Sequence, residues 1–386
     1  MLVGTLGNRH RAAVDERGVV SPTHTGWDLD WWIGADDRWR VPHRETAVRQ
    51  GLVDGAPIPQ TAMRVPGGDA VQRVYGVVAD GDPIVVEVEN ASPAPFVVAL
   101  VIRGARDIAL DGSTVMVDGC PALVSTRAPS RWAHAIGRST EVEVLSGAAR
   151  AGPFPRVRHR SGRVEATFLH PIPHRTSLRV ALLGRRDAMP KDVRALPDAA
   201  TVARGWRIQL DRGMRVDLPD PALVDAARAA CAEALLGATA RVPDENAVAA
   251  LEDWGFDSEV TASWTRLSGR QRRRAARRPQ TSSSWADVCA ARERSAASLL
   301  LALRSFLVHE GDDVITLLAD LPDDWRGGSI EVHGAPTRRG LVSYAVRWHG
   351  DRAAVLWDGP GGVTVRAPGL DARWSSTDPR GEALLA

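Results

Sequence analysis

Residues 84–102 read IVVEVENASPAPFVVALVI, and this stretch decides the fold class. Its first part alternates valine with glutamate at positions 86–89, which is the period of a β-strand with one buried face. A turn rich in Ser and Pro follows, and then an apolar run over 96–102 that has no polar face. We expect that run to be covered on both sides and the two segments to be paired strands.

More short β-rich segments follow on the C-terminal side of this stretch. Gly, Pro and Asp separate them at intervals of about 8–12 residues, which is typical of an antiparallel sandwich. The predicted strands cover 113–118, 122–126, 141–145, 163–169 and 177–183. The sequence therefore predicts a large antiparallel β-sandwich over residues 1–210.

The pattern changes to helical periodicity near residue 219. Asp220-Pro221 is an N-cap followed by proline at the first helical position, and Cys231 lies on the apolar stripe that follows. We expect Cys231 to be a core residue and further helices to start at Asp244 and Asp257. After Ser284 an apolar stripe predicts one long helix reaching residue 307. These elements form a predicted helical section over 219–309.

From residue 310 the chain returns to β-structure. Predicted strands cover 314–318, 329–333, 342–348, 353–357 and 363–366, and glycine pairs fall in the turns between them. The segment 310–386 is therefore a small C-terminal β module. The predicted fold class is a multi-domain α+β protein.

Composition excludes several functional classes. The 386 residues carry 49 Lys+Arg against 47 Asp+Glu, a balance that a nucleic-acid coat or an acidic tail protein would not show. No apolar run approaches the ~20 residues needed to span a bilayer. The N-terminus lacks a basic segment followed by an apolar one, and the three cysteines lie far apart. We expect a cytoplasmic protein with reduced thiols and no membrane association.

Three stretches resemble the bacterial six-hairpin glycosidases, the glucoamylase- and trehalase-like group. Residues 86–93 with the apolar strand after them are similar to that family's N-terminal sandwich. Residues 206–210 and 216–223 resemble its passage into the first helix of the catalytic toroid. Residues 317–325, 332–338 and 346–350 resemble its C-terminal module. The resemblance implies the order sandwich, helices, β module, and a carbohydrate-related activity.

The helical section is too short for that family's complete toroid of twelve helices. Such a toroid needs roughly 200 residues, whereas 220–308 supplies 89, enough for four or five helices. The family's catalytic carboxylates therefore cannot be assigned to positions here. The sequence leaves open whether this is a reduced enzyme, a non-catalytic relative, or a chain that a partner completes.

The densest group of carboxylates in the helical section consists of Glu252, Asp253, Asp257 and Glu259. Trp254 lies among them at a predicted helix junction. Glycoside hydrolysis needs two carboxyl groups, and a tryptophan beside acids could stack on a sugar. The alternative is structural: Asp257 as an N-cap, Glu259 in a first helical turn, and Trp254 packing the junction.

A second group combines tryptophan and aspartate near the N-terminus. Residues 27–39 hold four Trp and four Asp. The predicted ligand-binding residues are Trp27, Asp28, Asp30, Trp31, Trp32 and Asp36. As a strand, this segment would place Trp27 and Trp31 on one face and Trp32 on the other. The alternatives are a core-facing strand, a carbohydrate or interface patch, and an oxygen-ligated Ca²⁺ site.

A third group is rich in arginine. Seven arginines fall within residues 266–278 and no aromatic residue is interleaved for base stacking. The predicted partner-docking residues are Arg270, Arg272, Arg273, Arg274 and Arg277. They could be a solvated helix face or a surface that docks an acidic protein partner, and we expect no nucleic-acid binding.

The sequence supports two hypotheses about function. The first is a carbohydrate-associated protein, a reduced glycosidase-like chain that binds a saccharide or hydrolyses a glycosidic bond weakly. The second is a non-catalytic interaction protein that uses its arginines to dock an acidic partner. The ten histidines do not converge and no nucleotide-binding or hydrolase motif occurs, so we expect no cofactor and no metal.

Overall fold

A computed structural model describes residues 1–8, 10–23, 25–160, 164–184, 190, 192–238, 243–276 and 281–385. The chain divides into two compact units, Met1–Arg204 and Gly205–Ala386. The first is mainly β-structure, and the second contains both the helical section and the C-terminal β module. The fold is α+β, as predicted.

The first unit consists of two large antiparallel sheets. Its strands are β1 (Leu2–Gly4), β2 (Arg11–Val14), β3 (Val20–Pro22), β4 (Asp28–Gly34), β5 (Trp39–Arg40), β6 (Val48–Leu52), β7 (Pro59–Val65), β8 (Gly68–Gly76), β9 (Ile84–Asn90), β10 (Phe96–Ala105), β11 (Asp107–Asp111), β12 (Thr114–Val117), β13 (Cys120–Ser125), β14 (Arg131–Ile136), β15 (Val157–Arg158), β16 (Val164–Ile172) and β17 (Ser177–Leu182). One sheet has the order β1-β2-β3-β4-β10-β16-β14, with β5 beside β4, and the other β15-β11-β12-β13-β17-β9-β8-β7-β6.

The strands predicted from residues 84–102 are present, but they do not pair with each other. β9 pairs with β8 and β17 in one sheet, while β10 pairs with β4 and β16 in the other. The intervening turn carries the chain between sheets, and the Asn90 amide holds it by donating to the carbonyls of Ala94 and Ile172. The predicted pairing was wrong because turn residues indicate that the chain reverses. They do not indicate whether the next strand joins the same sheet or the opposite one.

The β10 strand is covered on both sides, as predicted. Val98, Leu100 and Ile102 point into the core between the two sheets. Ala99 and Val101 pack on the outer side, in a smaller apolar cluster with Trp32. This outer layer includes Val144 of a short helix, α1 (Glu141–Leu145).

Helix α1 stands where the sequence predicted a strand over 141–145. Its glutamates occupy the first turn, where the partial positive charge of a helix N-terminus favours them. The preceding Thr140 is fully buried, and its backbone N–H and hydroxyl each donate to Glu165 at 2.7 Å. That contact fixes the chain at Thr140, the residue before the helix. The alternating valines of 141–145 predict a strand and carry no information about this contact.

The second unit begins within a helix, and its described residues form six more helices. The helices are α2 (Ala199–Leu210), α3 (Pro221–Ala238), α4 (Glu245–Asp253), α5 (Asp257–Arg266), α6 (Gly269–Ala275), α7 (Trp285–Arg292) and α8 (Ala296–Leu307). Asp220 caps α3 and Asp244 caps α4, both as predicted. Cys231 is buried, and burial raises the pKa of its thiol, which confirms a packing residue.

The helical section differs from its prediction in two ways. The long helix predicted after Ser284 is broken into α7 and α8, because Ser295 leaves helical geometry and its hydroxyl accepts from the N–H of Ser298 as a new N-cap. The described residues between 220 and 308 therefore form six helices instead of four or five. At the start of α5, Phe256 and not Asp257 is the N-cap residue.

The C-terminal part of this unit forms two small sheets. Their strands are β18 (Arg215–Asp217), β19 (Val308–Glu310), β20 (Val314–Leu317), β21 (Ile330–Thr337), β22 (Gly340–His349), β23 (Arg352–Asp358), β24 (Thr364–Ala367), β25 (Asp371–Ser376) and β26 (Arg380–Leu384). The orders are β18-β21-β22-β23-β26 and β19-β20-β24-β25. All five strands predicted here exist, whereas β18, β19, β25 and β26 were not predicted. In the described residues, no helix combines the length and apolarity that crossing a membrane requires.

Candidate functional site

A cavity of about 760 Å³ lies within the second unit. We call it the acidic cavity because four carboxylates line it, those of Glu252, Asp253, Asp257 and Glu310. Other polar or aromatic residues in its wall are Trp264, Arg304, Ser305, His309, Thr337 and Arg338. Three of the four predicted catalytic carboxylates therefore share one cavity with a fourth that the sequence did not single out.

The turn between α4 and α5 holds the first three carboxylates in place. Trp254 is 3% exposed, and its indole N–H donates to the carbonyl of Leu300 at 2.9 Å. Phe256 is buried beside it, and Gly255 adopts a φ of +87°, a conformation that favours glycine. Trp254 thus anchors the turn to α8, which is the structural alternative for this residue. Its burial argues against ligand stacking.

Arg304 of α8 joins three segments of the cavity wall. Its side chain is buried, and its guanidinium donates to the backbone carbonyls of Asp253, Val308 and Pro336. These carbonyls belong to the end of α4, the start of β19 and the strand β21. Arginine suits this position because its planar fork presents several donors in fixed directions. The side chain therefore acts as a clamp that shapes the cavity.

The side of the cavity formed by β19 combines an acid with a histidine. Glu310 accepts from the backbone N–H of Arg338 at 3.1 Å, and the Arg338 guanidinium lies 3.6 Å away. The hydroxyl of Ser305 lies 3.3 Å from Nδ1 of His309. Both contacts orient polar side chains at the cavity wall before any ligand arrives.

Trp264 of α5 contributes the aromatic surface of the cavity. Its indole N–H is buried and has no hydrogen-bond partner among the described residues. Just beyond it, the guanidinium of Arg272 donates to the carbonyls of Trp264 and Thr265 at 2.9 and 2.8 Å. A cation at these last carbonyls satisfies orphan acceptors and complements the helix dipole. Arg272 thereby stabilises the end of α5 beside the cavity.

Glu259 is the predicted catalytic residue that the acidic cavity does not include. Its carboxylate lies 2.7 Å from Arg212 and accepts from the amide of Gln209 at 2.8 Å. Burial opposes its ionisation, but the hydrogen bonds from Ser258 and Gln209 and the charge of Arg212 outweigh it and lower its pKa. A carboxyl held ionised in this way is a poor general acid, which supports the structural alternative for Glu259.

Replacing Glu259 by Gln should lower the free energy of unfolding by about 1 kcal/mol, since it removes a partly buried ion pair but keeps a polar side chain. Chemical denaturation would measure the change. Ligand binding in the cavity should be unaffected, because Glu259 does not line it. A loss of binding without a loss of stability would contradict this structural role.

The tryptophan residues predicted to bind a ligand lie inside the first unit. Trp27, Trp31 and Trp32 are 6%, 0% and 0% exposed. As predicted for a strand, Trp27 and Trp31 face the main core and Trp32 the outer layer. A buried ring cannot stack on a ligand from solvent without local unfolding. We correct that interpretation in favour of the core-facing strand.

The aspartates of this segment have different surroundings. Asp30 is buried, where Arg103 pairs with it at 2.7 Å and the indole N–H of Trp32 donates to it at 3.0 Å. Asp28 and Asp36 are exposed, and Asp28 accepts from the hydroxyl of Ser21. The three carboxylates are thus not brought together into one site.

The predicted partner-docking arginines lie largely on α6. Arg270, Arg272, Arg273 and Arg274 are exposed, and Arg274 lies 3.4 Å from Glu245. Arg277 lies outside the described residues. The described part of the chain contains no group of three or more His, Cys, Asp or Glu side chains that could hold a metal ion.

Sequence reasoning missed Arg304, His309 and Glu310. Arg304 interrupts an apolar stripe of α8, and a charged residue inside such a stripe is a usable signal of a buried role. His309 and Glu310 gave no such signal, since a short strand of the C-terminal module places them. In comparisons with known proteins, no protein-family model matches the chain, and no curated protein matches its sequence significantly.

Proposed function

We propose that the protein is carbohydrate-associated and binds a saccharide in the acidic cavity. The observation that carries the proposal is the convergence of Glu252, Asp253, Asp257 and Glu310 with Trp264 on one cavity. The resemblance to six-hairpin glycosidases in the segments flanking the helices supports the same class of ligand.

The size of the cavity fits a small ligand. Pockets for small molecules typically span about 300–1,000 Å³ and combine apolar walls with a few placed polar groups. The acidic cavity, at about 760 Å³, lies within that range. Its wall includes Leu301, Val308 and Pro336 besides the charged side chains, so it offers both kinds of contact.

The chemistry of the wall suits a ligand rich in hydroxyl groups. A carboxylate is an acceptor with about four lone-pair sites, and sugar hydroxyls are donors. Hydrogen bonds with one ionised partner are stronger than those between neutral groups. Asp257 is exposed at the start of α5, and its carboxylate makes no hydrogen bond or ion pair with another side chain in the described structure. It is therefore the carboxylate best placed to exchange water for a ligand hydroxyl.

Weak hydrolysis is the further possibility that this site raises. It requires one carboxyl as general acid and another as base or nucleophile on the opposite side of the scissile bond. Within the cavity that pair would come from Glu252, Asp253, Asp257 and Glu310. Glu310 already accepts from Arg338, so Asp257, the first residue of α5, is the better candidate for direct contact.

Replacing Asp257 by Asn should weaken saccharide binding about tenfold, because a charge-assisted hydrogen bond becomes a neutral one. The measurement is a calorimetric titration of the protein with gluco- and manno-oligosaccharides. Asp351→Asn, an exposed aspartate outside the cavity, is the matched control and should bind like the wild type. Glycosidic bond cleavage would be followed in the same samples.

Tryptophan fluorescence provides an independent readout of the same titration. In the wild type, the tryptophan fluorescence should change on addition of saccharide until the site is saturated. This change should be lost in Trp264→Phe and kept in Trp374→Phe, since Trp374 is a partly exposed tryptophan outside the cavity. Equal responses from the two variants would place the ligand elsewhere. No response from the wild type to any saccharide would remove the proposal.

A further inference from the structure

The arginines of α6 stand out because four of them lie within five residues and few carboxylates neutralise them. In both units arginine is commonly paired, as in Arg38–Glu45, Arg103–Asp30 and Arg339–Asp313. Helix α6 carries four arginines and, in the described structure, a single ion pair, Arg274–Glu245. An uncompensated group of like charges creates a local positive potential that attracts an anionic partner.

Contacts on one side of α6 fix its orientation. Ser268 and Gln271 form a capping box at its start, and the Gln271 amide also donates to Glu245 at 3.1 Å. Arg272 and Arg274 are held by the end of α5 and by Glu245, respectively. The side chains of Gln271, Arg272 and Arg274 therefore attach the helix to the rest of the unit.

Arg270 and Arg273 form what we call the basic face. They lie three positions apart, so they are neighbours on one side of the helix, and both are exposed. Neither makes a side-chain hydrogen bond or an ion pair within the described residues. Like charges at this spacing repel, so the isolated helix gains nothing from having both. Within the part of the chain that the structure describes, their guanidinium groups thus keep their donors available for another molecule.

We propose that the basic face docks an acidic protein segment with neighbouring Asp or Glu side chains. Each guanidinium is a planar fork that matches a carboxylate in a bidentate geometry, and two forks at this spacing fit two adjacent carboxylates. The short length favours a peptide over a nucleic acid: seven residues of helix span about 10 Å, and α6 carries no aromatic side chain to stack a base. This activity is separate from saccharide binding.

The test is fluorescence anisotropy with a short labelled peptide of alternating Asp and Glu at low salt. The double variant Arg270→Gln/Arg273→Gln should bind it about tenfold more weakly. The matched control Arg366→Gln/Arg373→Gln removes two exposed arginines of the C-terminal module and should bind like the wild type. Thermal unfolding should be unchanged in both, since the described structure gives these four guanidinium groups no partners.

Three outcomes would overturn this assignment. The first is no binding of the acidic peptide by the wild type, and the second is equal binding by the two double variants. The third is tighter binding of an oligothymidylate than of the peptide, which would make the surface a nucleic-acid site. Because neither arginine lines the acidic cavity, saccharide titrations of the double variant should match the wild type whatever the peptide does.

Discussion

Replacing Arg304 by Met should lower the free energy of unfolding of the second unit by about 4 kcal/mol. Methionine keeps most of the apolar stem but removes every donor. The carbonyls of Asp253, Val308 and Pro336 then lose their partner inside the protein. Losing a hydrogen bond to a charged donor costs about 1.5–3 kcal/mol, and less where water can take the donor's place. Val308 and Arg304 are buried, whereas Asp253 and Pro336 are half-buried at the cavity wall.

Chemical denaturation of Arg304→Met beside the wild type would measure this loss. The matched control is Arg366→Met, which changes an exposed arginine of the same unit and should alter stability by at most about 0.5 kcal/mol. Arg304→Lys should fall in between, because lysine supplies a charge but not the fork. Equal stabilities for Arg304→Met and the control would show that Arg304 does not clamp the cavity wall.

Acid should destabilise the first unit through His170 of β16. This side chain is 1% exposed, and its Nδ1 has no hydrogen-bond partner among the described residues. Burial, assisted by the charge of Arg127, lowers its pKa from 6.5 to about 4. Between pH 6.5 and about pH 4, His170 is protonated in the unfolded chain but remains neutral in the folded protein. The stability contribution is therefore complete above pH 6.5 and is lost as the pH falls towards 4.

The expected loss at His170 is about 2 kcal/mol between pH 7 and pH 5. Because many carboxylates also titrate in acid, the comparison needs a variant. His170→Phe should show a shallower fall in stability over this pH range than the wild type, and His170→Asn offers a smaller replacement. The control is His174→Phe at an exposed position. Parallel pH profiles for wild type and His170→Phe would contradict this account.

Strand and helix positions followed from local pattern, whereas partners did not. The alternation at 84–90 and the cap at Asp220 indicated real elements because side-chain period and capping are local properties. Which sheet β10 joins depends on contacts with β4 and β16, distant in sequence. The helix at 141–145 likewise depends on the buried contact between Thr140 and Glu165.

The candidate site was predicted in part. The carboxylates around Trp254 could be found because four acids lie within eight residues, at the junction of two predicted helices. The sequence could not show that Glu259 lies apart from the other three, because its ion-pair partner, Arg212, comes from a distant segment of the chain. The tryptophan-rich segment allowed three interpretations: a core strand, a binding patch and a Ca²⁺ site. The burial of Trp27, Trp31 and Trp32 favours the core strand, and burial cannot be obtained from the sequence pattern alone.

The central claim, that the acidic cavity holds a saccharide, can be tested most directly by saturation-transfer difference NMR. Gluco- and manno-oligosaccharides would be screened one at a time against the wild type and the Asp257→Asn variant. We predict magnetisation transfer to the protons of at least one sugar, and a clearly weaker signal with the variant. The absence of transfer to every sugar, or signals of equal strength from the two proteins, would contradict the claim.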